Sequence, residues 1–292
     1  MFLFVAVGFF LPATPRAKTS LLFAKINKDS LLKNTPSPRI IFIGGSNLSF
    51  GLNSQTIKDS LGINPINTGI HASIGLIYML DNSLQYIKRG DIVVVVPEYS
   101  NYYGDAAYGR EELLRTAYEV DGFNGLSSLK MKQLYNIVPL IPKYIFSKFS
   151  LKDYRNFKLD PIYSKNSFNK YGDAYSHWLM PGTKVKPFKK LSNGFNIDVI
   201  IKLLDYQKKI EEKGAQLFLS YPGYQATSFD VSKDEILFVE KTLRSNDFKL
   251  LGTPQRYRMP DILMFDTPYH LSKKGVDIRT ELLIQDLKTV LK

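Results

Sequence analysis

The 292 residues suffice for one large α/β domain with an insertion or for two small domains. A composition of 44% hydrophobic, 13% aromatic and 23% charged residues excludes a disordered or fibrous chain, and the absence of cysteine excludes disulfides, thiolate metal sites, cysteine nucleophiles and a lipid-modified N-terminal cysteine. The 39 Lys and Arg against 27 Asp and Glu leave a formal charge of +12, which favours an anionic partner or surface such as a phospholipid leaflet or an acidic glycan. The lysines are spread along the chain and form no basic arm, so no nucleic-acid partner is expected.

The chain opens with an apolar stretch from Phe2 to Leu11 that Pro12 ends. It is too short to span a bilayer, yet it has the length of a signal-peptide hydrophobic region, without the basic residues that precede one. Residues 1–38 are therefore read as a signal or anchor segment with a connector. The expected location is exported, periplasmic or extracytoplasmic, and anchored to the membrane by this segment. A buried N-terminal strand or helix is the alternative. Residues 17–34 read as an amphipathic connector, and Thr35-Pro36-Ser37-Pro38 breaks the chain before a domain predicted over 39–292.

Arg39 to Gly44 is a β-branched run without helical period, as in a strand buried on both faces of a parallel sheet. A helix near 54–61, a short strand near 65–68, a helix near 74–86 and a strong strand over 91–96 follow. The rhythm lapses from about 100 to 192, a Tyr-, Asn-, Gly- and Lys-rich insertion with helices predicted near 110–119 and 126–149. It returns with a helix near 196–213, a strand over 216–220, a helix near 233–243, a weak strand near 248–251 and a final helix to about 291. Strands alternating with helices of this length predict right-handed crossovers and a three-layer α/β/α, doubly wound, mostly parallel sheet carrying a long insertion.

In such a sheet ligands bind beyond the carboxyl ends of the strands, which directs attention to Ser46, Gly69, Glu98 and Ser220. Ser46 stands in a Gly-Gly-Ser-Asn turn between strand and helix, where helix N-terminal N–H groups face a developing oxyanion; the same turn also suits a plain helix cap. His270 lies four residues after Asp266, and a carboxylate beside an imidazole fixes its tautomer and stabilises its protonated form, as a general base for serine requires. No P-loop, dinucleotide-binding glycine pattern or zinc spacing is present, so no cofactor and no metal are expected.

These features together resemble the SGNH (GDSL-like) hydrolases, and among them the envelope-associated esterase and polysaccharide O-acyltransferase members of bacteria. The likeness rests on Ile-Phe-Ile-Gly-Gly-Ser-Asn ending at Asn47, Asn67-Thr-Gly69, the Val-rich strand running to Pro97-Glu98-Tyr99, and Asp266 to His270; it leaves the insertion unmatched. It implies Ser46 as nucleophile, His270 as base, Asp266 as the acid orienting it, and the backbone N–H groups of Ser46 and Gly69 as oxyanion donors. The reaction implied is acyl transfer, to water or to a sugar hydroxyl, through an ester on Ser46.

The chain departs from the family pattern twice. Glu98 or Tyr99 stands near the place of the side-chain oxyanion Asn, with Asn101 slightly beyond, and the acid lies four rather than three residues before the histidine. Asn47, His71, Glu98, Tyr99, Asn101, and in the insertion Asp173, His177 and Trp178, are candidates for substrate binding, since Tyr and Trp faces suit sugar rings and Asp and Asn suit their hydroxyls. The expected partner is a cell-envelope or extracellular polysaccharide or another acylated envelope substrate, with an anionic membrane surface as a second. The rival expectation is a catalytically silent envelope scaffold or glycan-binding protein on the same fold.

Overall fold

The computed structural model describes residues 8 and 10–291. Strands β1 (Arg39–Gly44), β2 (Asn64–Asn67), β3 (Ile92–Val96), β4 (Gln216–Ser220) and β6 (Leu250–Leu251) form a five-stranded sheet in the order β2-β1-β3-β4-β6, every pair parallel. Two short strands, β5 (Tyr224–Gln225) and β7 (Arg258–Met259), pair separately. The central register runs from Ile40 opposite Ile92 to Gly44 opposite Val96. Every residue of β1 and β3 is buried, which is why both read as unbroken β-branched runs. Helix Ser54–Leu61 packs with Lys273–Val290, and Leu76–Leu84 packs with Ile197–Glu212, giving the expected three-layer α/β/α fold.

The strand order has one consequence for function. After β1 the chain moves to β2 on one side, then returns to β3 on the other, so the connections leaving the carboxyl ends of β1 and β3 diverge. A crevice opens at such a switch point.

Two element predictions need correction. The predicted helix near 74–86 is a 3₁₀ turn, Ala72–Ile74, then Gly75 at φ 90°, then the helix Leu76–Leu84. The predicted helix over 126–149 is broken into Phe123–Ser127, Met131–Ile137, a 3₁₀ turn at Val138–Leu140 and Ile141–Ser147, the last two breaks falling at Pro139 and Pro142, which cannot donate a backbone hydrogen bond.

The insertion carries its own apolar cluster, in which Leu113, Leu114, Ile137, Tyr144 and Ile145 pack with Ile70, Ile74 and Tyr78 of the first α/β half and with Leu21 and Leu22 of the connector. The connector forms helix Ala24–Asn34, whose Leu32 enters the main core and whose Lys28 is buried. The packed unit thus starts ahead of Arg39. The apolar leader Phe2–Leu11 lies largely outside the described residues, and among those described no helix is long and apolar enough to cross a membrane.

Candidate functional site

The loops leaving β1, β2 and β3 meet at closest backbone approach. A Cβ on Gly45 would stand 2.9 Å from both Ala72 Cα and Glu98 Oε1, and a Cβ on Gly69 would stand 2.6 Å from the Gly45 carbonyl. Glycine at both positions is what lets the three loops close around Ser46.

Ser46 opens the short helix Ser46–Ser49 and is partly exposed. Its hydroxyl donates to Glu98 Oε1 at 3.4 Å, and the Asn47 N–H reaches the same oxygen at 3.4 Å. Among the described residues no acceptor takes the Ser46 N–H, and no hydrogen bond joins Ser46 Oγ to His270. The Asn47 side chain instead donates to the Val96 carbonyl at 3.2 Å, tying the turn to the end of β3.

Glu98 is buried, and burial pushes its carboxyl up from the usual range; the charge of His270 and hydrogen bonds from Asn47 and Ser46 pull the other way. Asn101 faces the Glu98 backbone: its side-chain oxygen accepts the Glu98 N–H at 3.0 Å, closing a turn at the site's edge.

His270 arrives from the far end of the chain on a tight loop. The Met264 to Leu271 bridge and the Phe265 N–H to His270 carbonyl bond at 2.8 Å close it, and the Leu271 N–H donates to the Phe50 carbonyl at 3.1 Å, docking it four residues after Ser46. His270 Nδ1 donates to Asp266 Oδ1 at 2.8 Å, so the four-residue spacing closes without difficulty. Burial pushes the Asp266 carboxyl up, but the His270 hydrogen bond and charge together with the Tyr163 hydroxyl outweigh it and hold Asp266 below the ordinary value. The imidazole lies on the Phe50 ring, 4.2 Å between centroids and 14° from parallel.

Tyr163 and Phe50 contact the Asp266-His270 pair and were not expected from the sequence. The Tyr163 hydroxyl donates to Asp266 Oδ2 and lies 3.3 Å from His270 Nδ1, so the insertion supplies a member of the Asp-His pair. No period or motif marks Tyr163, since its partner lies 103 residues away across an irregular segment.

The remaining candidates divide. His71 is partly exposed at the mouth of the site; burial lowers its pKa, the charge of Glu112 opposes that, and His270 adds to it. The Gly69 N–H is already donated to Asn67 Oδ1 at 3.0 Å, so the free backbone donor of the expected pair is Ser46.

Asp173, expected to meet substrate, is instead fully buried and takes hydrogen bonds from Ser54, Asn67 and Asn169. His177 is also buried, between Phe50 and Phe265 with centroids 4.9 Å from each, and its Nε2 donates to the Leu271 carbonyl at 3.0 Å. Tyr99 is a core residue packed edge-on to Tyr224. Trp178 is half-buried beneath Lys273, whose ammonium stands 4.9 Å from the ring centre. Side chains sealed in the interior cannot touch a glycan, so Asp173 and His177 are not part of a substrate wall. Among the described residues no cluster of three acidic or histidine side chains is placed to hold a metal ion.

No family model matches the chain, and no curated protein matches it.

Proposed function

We propose that the protein is an SGNH-type serine esterase or O-acyltransferase that forms an acyl ester on Ser46 and acts on a cell-envelope or extracellular polysaccharide after export. The observation that carries the reading is the hydrogen-bonded Asp266-His270 pair, delivered by a C-terminal loop to the β1/β3 switch point where Ser46 opens a helix. With Nδ1–H held by the Asp266 carboxylate, Nε2 is the basic nitrogen.

In the proposed reaction Ser46 Oγ attacks an ester carbonyl while its proton passes to His270 Nε2. The oxyanion then meets the unengaged Ser46 N–H at the helix start, and the Asn47 N–H once it leaves Glu98 Oε1. His270 returns the proton to the departing alkoxide. Water or a sugar hydroxyl, deprotonated by the same nitrogen, next attacks the acyl ester, regenerating Ser46. Glu98 stands where the family places a neutral donor; as a neutral acid it would donate to the oxyanion, whereas as a carboxylate it would repel it.

The test is intact-mass labelling with a serine-directed fluorophosphonate. A single adduct is expected on the wild type, absent in Ser46→Ala and slowed at least a hundredfold in His270→Ala. A folded wild type that takes no adduct would refute the reading. It would favour the catalytically silent binder instead, a role consistent with the Ser46 hydroxyl being bonded to Glu98.

A further inference from the structure

A cleft of about 440 Å³ is walled by the connector at Arg16–Leu22, by the insertion at Glu112 to Tyr163, and by His71. That size suits one or two sugar rings. It reaches the chemistry through two side chains, Tyr163, which holds Asp266, and His71, which senses the charge of His270.

The charges lining this cleft do not follow the +12 of the whole molecule: four carboxylates (Glu112, Glu119, Asp153, Asp160) face three cations (Arg16, Arg115, Lys158). Several are engaged within the protein. Arg16 pairs with Asp153 at 3.5 Å and Arg115 with Glu111 at 3.0 Å, Glu119 accepts the Tyr144 hydroxyl, and Asp160 accepts the N–H groups of Ile162 and Tyr163. Among the described residues the side chains of Glu112 and Lys158 have no hydrogen-bond or ion-pair partner, and Glu112 is the one that acts electrostatically on His71. His71 Nδ1 accepts the Ser73 N–H at 3.2 Å, which leaves the ring proton on Nε2 as a donor. The cleft therefore presents one imidazole donor and one unengaged carboxylate acceptor.

We infer that this cleft is the glycan subsite of the proposed enzyme, and that Glu112 and His71 select a neutral or amino-bearing sugar over a uronate. The inference rests on the acyl-transfer reading for its role but not for its binding chemistry. A hydroxyl or ammonium group donates to Glu112, and a sugar hydroxyl accepts the His71 Nε2–H, whereas a sugar carboxylate beside Glu112 would meet a like charge.

The experiment is calorimetric titration of the full chain with three tetrasaccharides: fully deacetylated chitosan, chitin and polygalacturonate, each followed by its effect on fluorophosphonate labelling. Chitosan and chitin tetramers are expected to bind and to slow labelling, chitosan more tightly because its ammonium groups meet Glu112, with polygalacturonate at least tenfold weaker than either. Glu112→Gln is expected to erase the chitosan preference over chitin, and Glu112→Lys to favour polygalacturonate. Equal or tighter polygalacturonate binding, no binding by any tetramer, or affinities indifferent to both Glu112 variants would overturn the inference. Failure of the wild type to label at all, with binding intact, would strike the acyl-transfer reading alone.

Discussion

Ser46 and Glu98 share one hydrogen bond at the mouth of the crevice, and the protonation of Glu98 decides what the pair can do. Because burial raises the Glu98 carboxyl, it is neutral at lower pH and ionises as pH climbs through that raised value. In the proposed reaction, ionisation would place a negative charge beside the developing oxyanion and slow acylation. The wild-type labelling rate is therefore expected to fall as pH climbs through the raised Glu98 value, whereas Glu98→Gln loses that fall; stopped-time labelling across pH 5–10 checks this. Ser46, Asp266 and His270 were legible in the sequence because glycine turns and a carboxylate near a histidine are local signals. Tyr163 was not, since a lone tyrosine between Ile162 and Ser164 carries no signal until the insertion folds back on the Asp-His loop. Asp173 and His177 misled for the opposite reason: polar residues near Trp178 read as sugar-facing, but the backbone turns them inward.

The strands and helices of the α/β core were legible because Ile40–Ile43 and Val93–Val96 are buried on both faces and show it in composition. Less legible was what joins them at the amino-terminal edge. Arg39 and Asp91, the residues entering β1 and β3, form a fully buried ion pair at 3.2 Å; Arg39 also donates to the carbonyls of Leu32, Thr35 and Tyr86, and Asp91 accepts from Ser37 and the Lys88 N–H. One pair thus fastens the connector, the two central strands and the turn before β3. Removing one partner strands the other charge in the interior, so Asp91→Ala is expected to cost about 3–5 kcal/mol in urea unfolding, far more than loss of an exposed pair such as Lys208 with Glu212.

At the scale of the whole molecule, stability depends on histidines that the fold keeps neutral. Burial lowers His177 to about 4, against 6.5 for an unburied imidazole, with its Leu271 hydrogen bond opposing the shift. A depressed value means that its contribution is complete above pH 6.5 and is lost as pH falls toward 4. Buried carboxyls such as Glu98 and Asp173, whose values are raised, act in the opposite sense over part of that range, so the histidine is isolated by difference. Between pH 7 and pH 4.5 the unfolding free energy of the wild type is expected to fall by about 2–3 kcal/mol more than that of His177→Gln, measured by urea titration at both pH values. The molecule is also joined end to end in a way no local pattern announces. The Lys28 ammonium donates to the carbonyls of Asn67, Gly69 and Gly172, gathering the connector helix, the loop after β2 and the insertion at one point. Mechanically, that knot turns helix Ala24–Asn34 into a strut rather than a tether. The cleft wall at Arg16–Leu22 therefore stands beside a braced helix, with Leu21 and Leu22 packed against the insertion.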